Sequence, residues 1–489
     1  MKLKVKIFYF SAGRPVAILN EDFAKKATIH VDSRISIEKN KKKTIAVVDI
    51  ARKFLKGDEI VVSIEIAKEL NLKENDLVEV RVAPRPESIG YIMKKLKGKE
   101  IDKNEIKKII EDIVKNALTE AEIAYFVSAV YTKGMSFKEI EDMTNAIVNS
   151  GKKLNFKNKV VVDKHSIGGV PGRTTPIIVA ICGAAGLIMP KTSSRAITSA
   201  SGTADAMEVL CKVDFSLEEI KKIISKTNAC IVWGGSLNLA PADDKIIQVE
   251  RLIDLDPEPQ LLASIISKKL AVGAKDVVID IPYGKYTKVN YEHAKELEKK
   301  FIKLGKDLKI KIVCSLKEIK EPLGNGIGPS LEIQDVITVL KREDSCHKLE
   351  DRAIEISAII LELVGKVKKG NGKKLALEIL NSGKAWKKFK EIVKAQKGNA
   401  ERKIKKAKFS KNFVAEKNSI LVEINTKALN YISRLAGCPL DKNSGIYLYK
   451  HLNQKVKKGE KMLTIYSETK EELKEAIEYY NKIEPMILK

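Results

Sequence analysis

The stretch from Val160 to Glu208 limits what this chain can fold into more than any other. An apolar strand signal, Lys159-Val160-Val161-Val162, runs straight into Asp163-Lys164-His165-Ser166-Ile167-Gly168-Gly169-Val170-Pro171-Gly172-Arg173-Thr174-Thr175. An apolar run resumes at Pro176-Ile177-Ile178-Val179-Ala180. A strand that breaks into glycines and re-enters an apolar segment reads as a βα turn. Its backbone N–H groups and the helix N-terminus converge on an anion. Lys164 adds a full charge and Ser166 a donor. The lysine precedes the glycines, so this is not the GxxxxGK[ST] loop.

A second loop follows the apolar run Gly186-Leu187-Ile188-Met189 and Pro190. It reads Lys191-Thr192-Ser193-Ser194-Arg195-Ala196-Ile197-Thr198-Ser199-Ala200-Ser201-Gly202-Thr203, and a helix is predicted from Ala204 with Thr203 as N-cap. Small hydroxyl side chains let a ligand approach the backbone and still find donors, and Lys191 and Arg195 bias that ligand towards negative charge. One such loop alone reads equally well as a structural turn or a solvated linker. Two of them, each after an apolar strand and each with lysine and hydroxyls, predict an anion site at the carboxyl ends of parallel strands.

At 489 residues the chain has room for about three or four domains. It is 44% hydrophobic and 31% charged, and its longest apolar run, between Pro176 and Pro190, is too short for a membrane span. The opening residues alternate like a strand and do not follow a signal-peptide pattern, so a cytoplasmic location is expected. The six cysteines are scattered without CxxC spacing and Cys346-His347 has no second pair, so no metal site or cofactor is predicted. A net charge of +26 invites a nucleic-acid reading. Yet the lysines are interleaved with glutamates, as in Glu292 to Phe301, which suits solvated ion-pair faces and a protein working hot. The charge also serves to concentrate small phosphorylated molecules.

In chain order, residues 1–85 read as a β-rich domain ending in the stiff Ala83-Pro84-Arg85-Pro86 linker. Residues 86–158 take a helical period, with capped starts at Thr119 and Ser136. Strands expected at Ala229–Trp233, Val277–Ile281 and Lys309–Cys314 alternate with helices, which gives a mostly parallel α/β sheet domain over 159–241 and 272–405. Residues 242–271 are assigned to the helical bundle, and 406–489 to a C-terminal β-rich α+β domain without evident chemistry. Asp256-Pro257 is an N-cap and N1 signature, so capping is the residue-level reading of Asp256. Ser264 and Lys268 share a helix face, which is either an exposed stripe or the wall of a site.

Three blocks resemble the signatures of the thymidine/pyrimidine-nucleoside phosphorylase family. They are Asp163 to Val170, then Ser193-Ser194-Arg195 with Gly202-Thr203 and Asp205, then Ser264-Ile265-Ile266-Ser267-Lys268-Lys269-Leu270. Their order and the preceding helical bundle match, from about Ser88 to the C-terminus. The extra N-terminal β-domain and the hydroxyl-rich second loop are most similar to the archaeal AMP-phosphorylase branch. That resemblance implies phosphate on Lys164, Ser166, Thr175 and Ser193. It implies a nucleotide held by Gly168, Ser194, Arg195, Ala196, Ile197, Thr198, Ser199, Thr203, Ser264, Lys268 and Lys288. It also implies Asp256 as the acid that protonates the departing base, a role that calls for burial to raise its pKa.

Where pyrimidine enzymes of the family carry a base-reading arginine, this chain has Val249, and their ring-facing histidine is Ser199 here. Their Gly-Val-Gly-Asp in the first loop is Gly169-Val170-Pro171-Gly172. The resemblance therefore implies AMP plus phosphate giving adenine plus ribose 1,5-bisphosphate, with CMP and UMP as further substrates. It also implies no metal, and a homodimer or larger homo-oligomer. A pyrimidine-nucleoside phosphorylase and a phosphoribosyltransferase are the enzyme alternatives, and a basic nucleic-acid-binding protein is the alternative of another class.

Overall fold

The computed structural model describes residues 1–156, 160–196, 199–237, 239–343 and 347–489. The predicted roles of Ile197 and Thr198, the lead-in at Lys159 and the Cys346 thiol fall outside these residues. The chain divides into two compact units, 1–151 with 240–267, and 152–239 with 268–489.

In the first unit, six strands close into a barrel. They are β1 (Lys2–Ile7), β2 (Val16–Asn20), β3 (Arg34–Lys39), β4 (Lys42–Ala51), β5 (Glu59–Val62) and β6 (Leu77–Val82), in the order β1-β5-β2-β4-β3-β6. The alternation in β1 explains the closure, with Leu3 and Val5 inside and Lys2 and Lys4 in solvent. The helices Lys103–Val114, Glu120–Lys133 and Phe137–Ser150 each start on a reciprocal capping box, at Asp102/Glu105, Thr119/Glu122 and Ser136/Glu139. With Ser88–Leu96 they enclose an apolar core that also takes Ala242, Ile246, Val249 and Ala263 from the second segment of this unit.

The second unit is built on parallel strands. β7 (Val162–Ser166) lies beside β10 (Asp276–Tyr283), which lies beside β11 (Lys311–Glu318). β8 (Met189–Ser193) pairs in parallel with β9 (Ala229–Trp233). A parallel bridge between Val161 and Ile188, just ahead of β7 and β8, links the two groups. The Thr174–Ala184 helix behind them is buried along almost its whole length, as an apolar run between two loops requires. The C-terminal part is antiparallel, with strands Phe409–Val414, Lys461–Ser467 and Gly445–Leu448 joined by Gly326–Ile327 from the α/β segment.

Several strands run further than their apolar residues predicted: β10 reaches Tyr283 and β11 reaches Glu318, and two carry buried charge. β7 begins at Val162 and carries Asp163, Lys164 and His165 inside the sheet, and β8 continues past Pro190 through Lys191 to Ser193. Polar residues are tolerated in these central strands because each buried charge meets a partner. No helix among the described residues is long and apolar enough to cross a membrane.

Candidate active site

The carboxyl ends of β7 and β8 lie side by side, so both predicted loops leave the sheet at one edge. In the first, Gly168, Gly169 and Gly172 all take positive φ, which side chains rarely tolerate. At two of these positions space is also closed. A Cβ on Gly169 would stand 2.9 Å from the backbone nitrogen of Lys288, and one on Gly172 would stand 2.8 Å from Leu323 Cβ. The first contact brings the backbone of Lys288 against the glycine turn, while its side chain is exposed. Gly168 has open space around it, and Ser166 is half-buried at the end of β7.

Lys164 is 2% exposed. Its Nζ donates to the Thr174 and Thr175 hydroxyls, both at 3.2 Å, and stands 3.7 Å from Asp280. Asp280 is also paired with Arg352, which bonds the Ser315 hydroxyl and carbonyl and, at its outer edge, Glu355. On the other side of β7, Asp163 accepts from Lys269 at 2.6 Å and lies 3.5 Å from Lys191. Four cations (Lys164, Lys191, Lys269, Arg352) and two carboxylates (Asp163, Asp280) are thus buried together, so cations are in excess even with half-buried Glu355 set against Arg352. Burial pushes the Lys164 ammonium below its ordinary pKa against the pull of Asp280, and pushes Lys269 down to about 7 against the pull of Asp163. Burial and the surrounding lysines hold His165 well below the usual imidazole range. An anion brought into this setting relieves each of these penalties.

Ser193 ends β8 with its hydroxyl oxygen buried and, among the described residues, without a hydrogen-bond partner, as is that of Thr192. Buried hydroxyls are ordinarily satisfied, so a water or a ligand atom is needed to complete these two. Arg173 connects the two loops. Its Nε donates to Glu332 at 2.8 Å and its NH2 group to the Ser201 carbonyl at 2.8 Å, while Glu332 also takes the Gly172 N–H at 3.0 Å.

The second loop differs from its sequence reading in three respects. Arg195 does not offer a free charge. It makes two bonds to Glu208, at 2.7 and 2.8 Å, lies 3.3 Å from Asp205 and 3.6 Å from Asp214, and sits over the Trp233 ring. The guanidinium and Lys442 hold the Glu208 carboxyl down at about 2. Lys191 likewise faces Asp163 and the Thr192 carbonyl. The helix Thr203–Glu208 is capped one residue early, at Gly202, because the Asp205 carboxylate takes the Gly202 and Ala196 N–H groups. Ser194 is exposed, and Ser199 donates to the Ser201 carbonyl.

The C-terminal part, which the sequence left without chemistry, reaches this loop. Asn430 accepts the Ala200 N–H at 2.8 Å, Ala200 is buried in the C-terminal core, and Lys442 bonds Glu208 at 2.9 Å. The partners Asp280, Arg352, Glu332, Asn430 and Lys442 had no local signal, because they meet the loops across long sequence separations. Asp163 and Lys269 stood inside the quoted blocks without an assigned role.

The remaining predicted residues lie on or beside the helix Glu258–Ala271. Within the first unit, Ser264 donates to Asp243 at 3.0 Å, and so does Gln260, at 3.0 Å. Lys268 is half-buried. The helix begins at Glu258, with the Pro257 carbonyl accepting the Leu261 N–H at 2.9 Å, so Pro257 precedes the first helical residue. Asp256 is exposed, which departs from the burial its sequence reading invoked.

Family models match three stretches. Residues 89–151 match the glycosyl transferase family helical bundle domain, 158–386 its a/b domain, and 420–484 the pyrimidine nucleoside phosphorylase C-terminal domain. The chain is 42% identical to AMP phosphorylase of Thermococcus kodakarensis, over 99% of this chain and 97% of that one. It is 40% identical to AMP phosphorylase of Methanococcus vannielii, over 99% and 97%. It is 39% identical to AMP phosphorylase 1 of Archaeoglobus fulgidus, over 98% and 96%. The crystal structure of anthranilate phosphoribosyltransferase (TrpD) from Thermus thermophilus matches at 17% identity with a TM-score of 0.53. It covers 63% of this chain and 99% of that one, a likeness of fold alone. Similarity at this level along nearly the whole length places the chain in the AMP phosphorylase family.

Proposed function

We propose that this pentosyltransferase catalyses the phosphorolysis of AMP to adenine and ribose 1,5-bisphosphate, with CMP and UMP as further substrates. The observation that carries the reading is the buried excess of cations beneath two adjoining loops, with the unsatisfied Ser193 hydroxyl beside it. Inorganic phosphate supplies both the charge and the acceptor oxygens that this arrangement lacks.

Lys164, Ser166, Thr175 and Ser193 hold the phosphate. Gly168, Ser194 to Ser199, Thr203 and Lys288 hold the nucleotide sugar and its 5′-phosphate, while Ser264 and Lys268 face the base. Arg195 serves by shaping the second loop, since its charge is already matched by carboxylates. A phosphate oxygen attacks C1′ as the bond from C1′ to the base nitrogen breaks, and the electron pair leaves with the base. Positive charge grows on the ribose and is stabilised by the phosphate beneath it. Asp256 gives its proton to the departing base and later regains one. In the balance, the proton that HPO4²⁻ sheds on becoming an ester equals the proton the base gains. Asp256 is exposed in the free chain, so this role rests on the departing base coming within hydrogen-bond reach of its carboxyl.

The protein works as a homodimer or larger homo-oligomer in the cytoplasm, on small molecules and without nucleic acid. The five described cysteines are free and mostly buried, which suits a reducing compartment. Chromatography of free bases after incubating each nucleoside monophosphate, with and without phosphate, tests the reading. Adenine should appear from AMP only when phosphate is present. Release of uracil from uridine in preference to adenine from AMP would replace the proposal with a nucleoside phosphorylase.

A further inference from the structure

Gln260 lies in the first turn of the Glu258–Ala271 helix, one turn before Ser264 and two before Lys268, and four residues after Asp256. It is 3% exposed. Its amide orientation is settled by its neighbour. Both oxygens of buried Asp243 act as acceptors, one for the Ser264 hydroxyl and one for Gln260, so the amide nitrogen must be the end facing Asp243. That leaves Oε1, which is buried and has no hydrogen-bond partner among the described residues. A buried amide carbonyl held in one orientation and lacking a donor is unusual, and this one sits on the helix that also carries Ser264 and Lys268.

We infer that Gln260 reads the base, its Oε1 accepting a hydrogen bond from an exocyclic amino group. The inference rests on the phosphorolysis reading above. Adenine carries such an amino group at C6 and cytosine at C4, whereas hypoxanthine and uracil present a carbonyl oxygen at the corresponding position. Asp243 prevents the amide from flipping, so a carbonyl-bearing base sets two acceptors against each other. Gln260 therefore favours AMP over IMP and CMP over UMP. Ser264 shares Asp243 as its anchor, so the two side chains are oriented by one carboxylate.

The test is kcat/KM for AMP, IMP, CMP and UMP at saturating phosphate, for the full-length chain and for Gln260→Met, which keeps the length and removes the acceptor. Sites built to hydrogen-bond a substrate group discriminate steeply against analogues lacking it. The wild-type preference for each amino base over its oxo counterpart should be roughly tenfold or more, and Gln260→Met should shrink both ratios by roughly tenfold, through loss on the amino bases. Each ratio is taken within one preparation, so an unfolded fraction cancels. A second arm needs no variant. Purine riboside 5′-monophosphate, which lacks the amino group, should be a poorer substrate than AMP for the wild-type enzyme. Equal turnover of AMP and purine riboside 5′-monophosphate, or ratios unchanged in Gln260→Met, would overturn the role of Gln260 and leave phosphorolysis standing. Failure of every nucleotide to release base with phosphate would remove the underlying reading instead.

Discussion

Replacing Glu332 by Gln tests whether the two loops are held as one phosphate site. Glu332 is 1% exposed and accepts from the Gly172 N–H at 3.0 Å and from Arg173 Nε at 2.8 Å. Glutamine has one oxygen to offer two donors, so its NH2 group must oppose either the Gly172 N–H or the guanidinium. The lost bond to a charged group is worth about 1.5–3 kcal/mol. Arg173 keeps its bond to the Ser201 carbonyl at 2.8 Å, so the second loop is loosened and not released. At about 1.4 kcal/mol per factor of ten, the expected loss in kcat/KM for phosphate is roughly tenfold to a hundredfold. The assay follows adenine release from AMP while phosphate is varied, with active-enzyme concentration fixed by the kcat reached at saturation. A misfolded fraction lowers kcat and leaves the phosphate KM alone. Displaced loops raise the KM. A phosphate KM within twofold of wild type would refute the view that Glu332 and Arg173 organise the site.

Other perturbations separate ligand contacts from scaffolding. Ser193→Ala removes a buried hydroxyl that is unsatisfied among the described residues, so thermal stability should hold or rise, by up to about 1–3 kcal/mol, while the phosphate KM rises. A loss of stability together with an unchanged KM would make the serine structural. Asn430→Ala deprives the Ala200 N–H of its acceptor and should raise the KM for AMP severalfold with little effect on any turnover of adenosine, which lacks the 5′-phosphate. Equal effects on both would place Asn430 outside the nucleotide loop's control. Burial pushes the Asp335 carboxyl up to about 7, against its bond from the Gly326 N–H. The folded state therefore keeps a proton that the unfolded chain gives up at lower pH, so stability from this group is full in acid and is lost as pH rises through about 7. Relative to wild type, Asp335→Asn should gain stability between pH 5 and 8 in denaturant melts, and a pH-independent difference would contradict the burial argument.

Much of this was legible because local chemistry leaves local marks. The capping boxes at Thr119 and Ser136 and strand β9 follow from periodicity and end signals that act within a few residues. The lysine-before-glycine turn and the hydroxyl-rich loop stand out by composition alone, and the three blocks pointed to the family. What the sequence hid is pairing at a distance. Asp163 and Lys164 looked like loop residues because nothing nearby announces Lys269 or Asp280, whose charges permit both to sit inside a parallel sheet. Arg195 looked like a ligand for phosphate because Glu208 and Asp214 lie beyond its own loop and bind it only after the chain turns. The barrel closure of β1 to β6 joins the first strand to the sixth, about seventy residues on, which no window of local sequence reports.

The central claim is that the buried cations and the two loops hold inorganic phosphate as the nucleophile, and isotopic labelling tests it most directly. Incubating the full-length chain with AMP and ³²P-phosphate should yield adenine and a pentose bisphosphate carrying label on the phosphate at C1 and none on the phosphate at C5. Adenine release that proceeds without phosphate, leaving unlabelled ribose 5-phosphate, would contradict the account, because water and not phosphate would then be the group attacking the sugar.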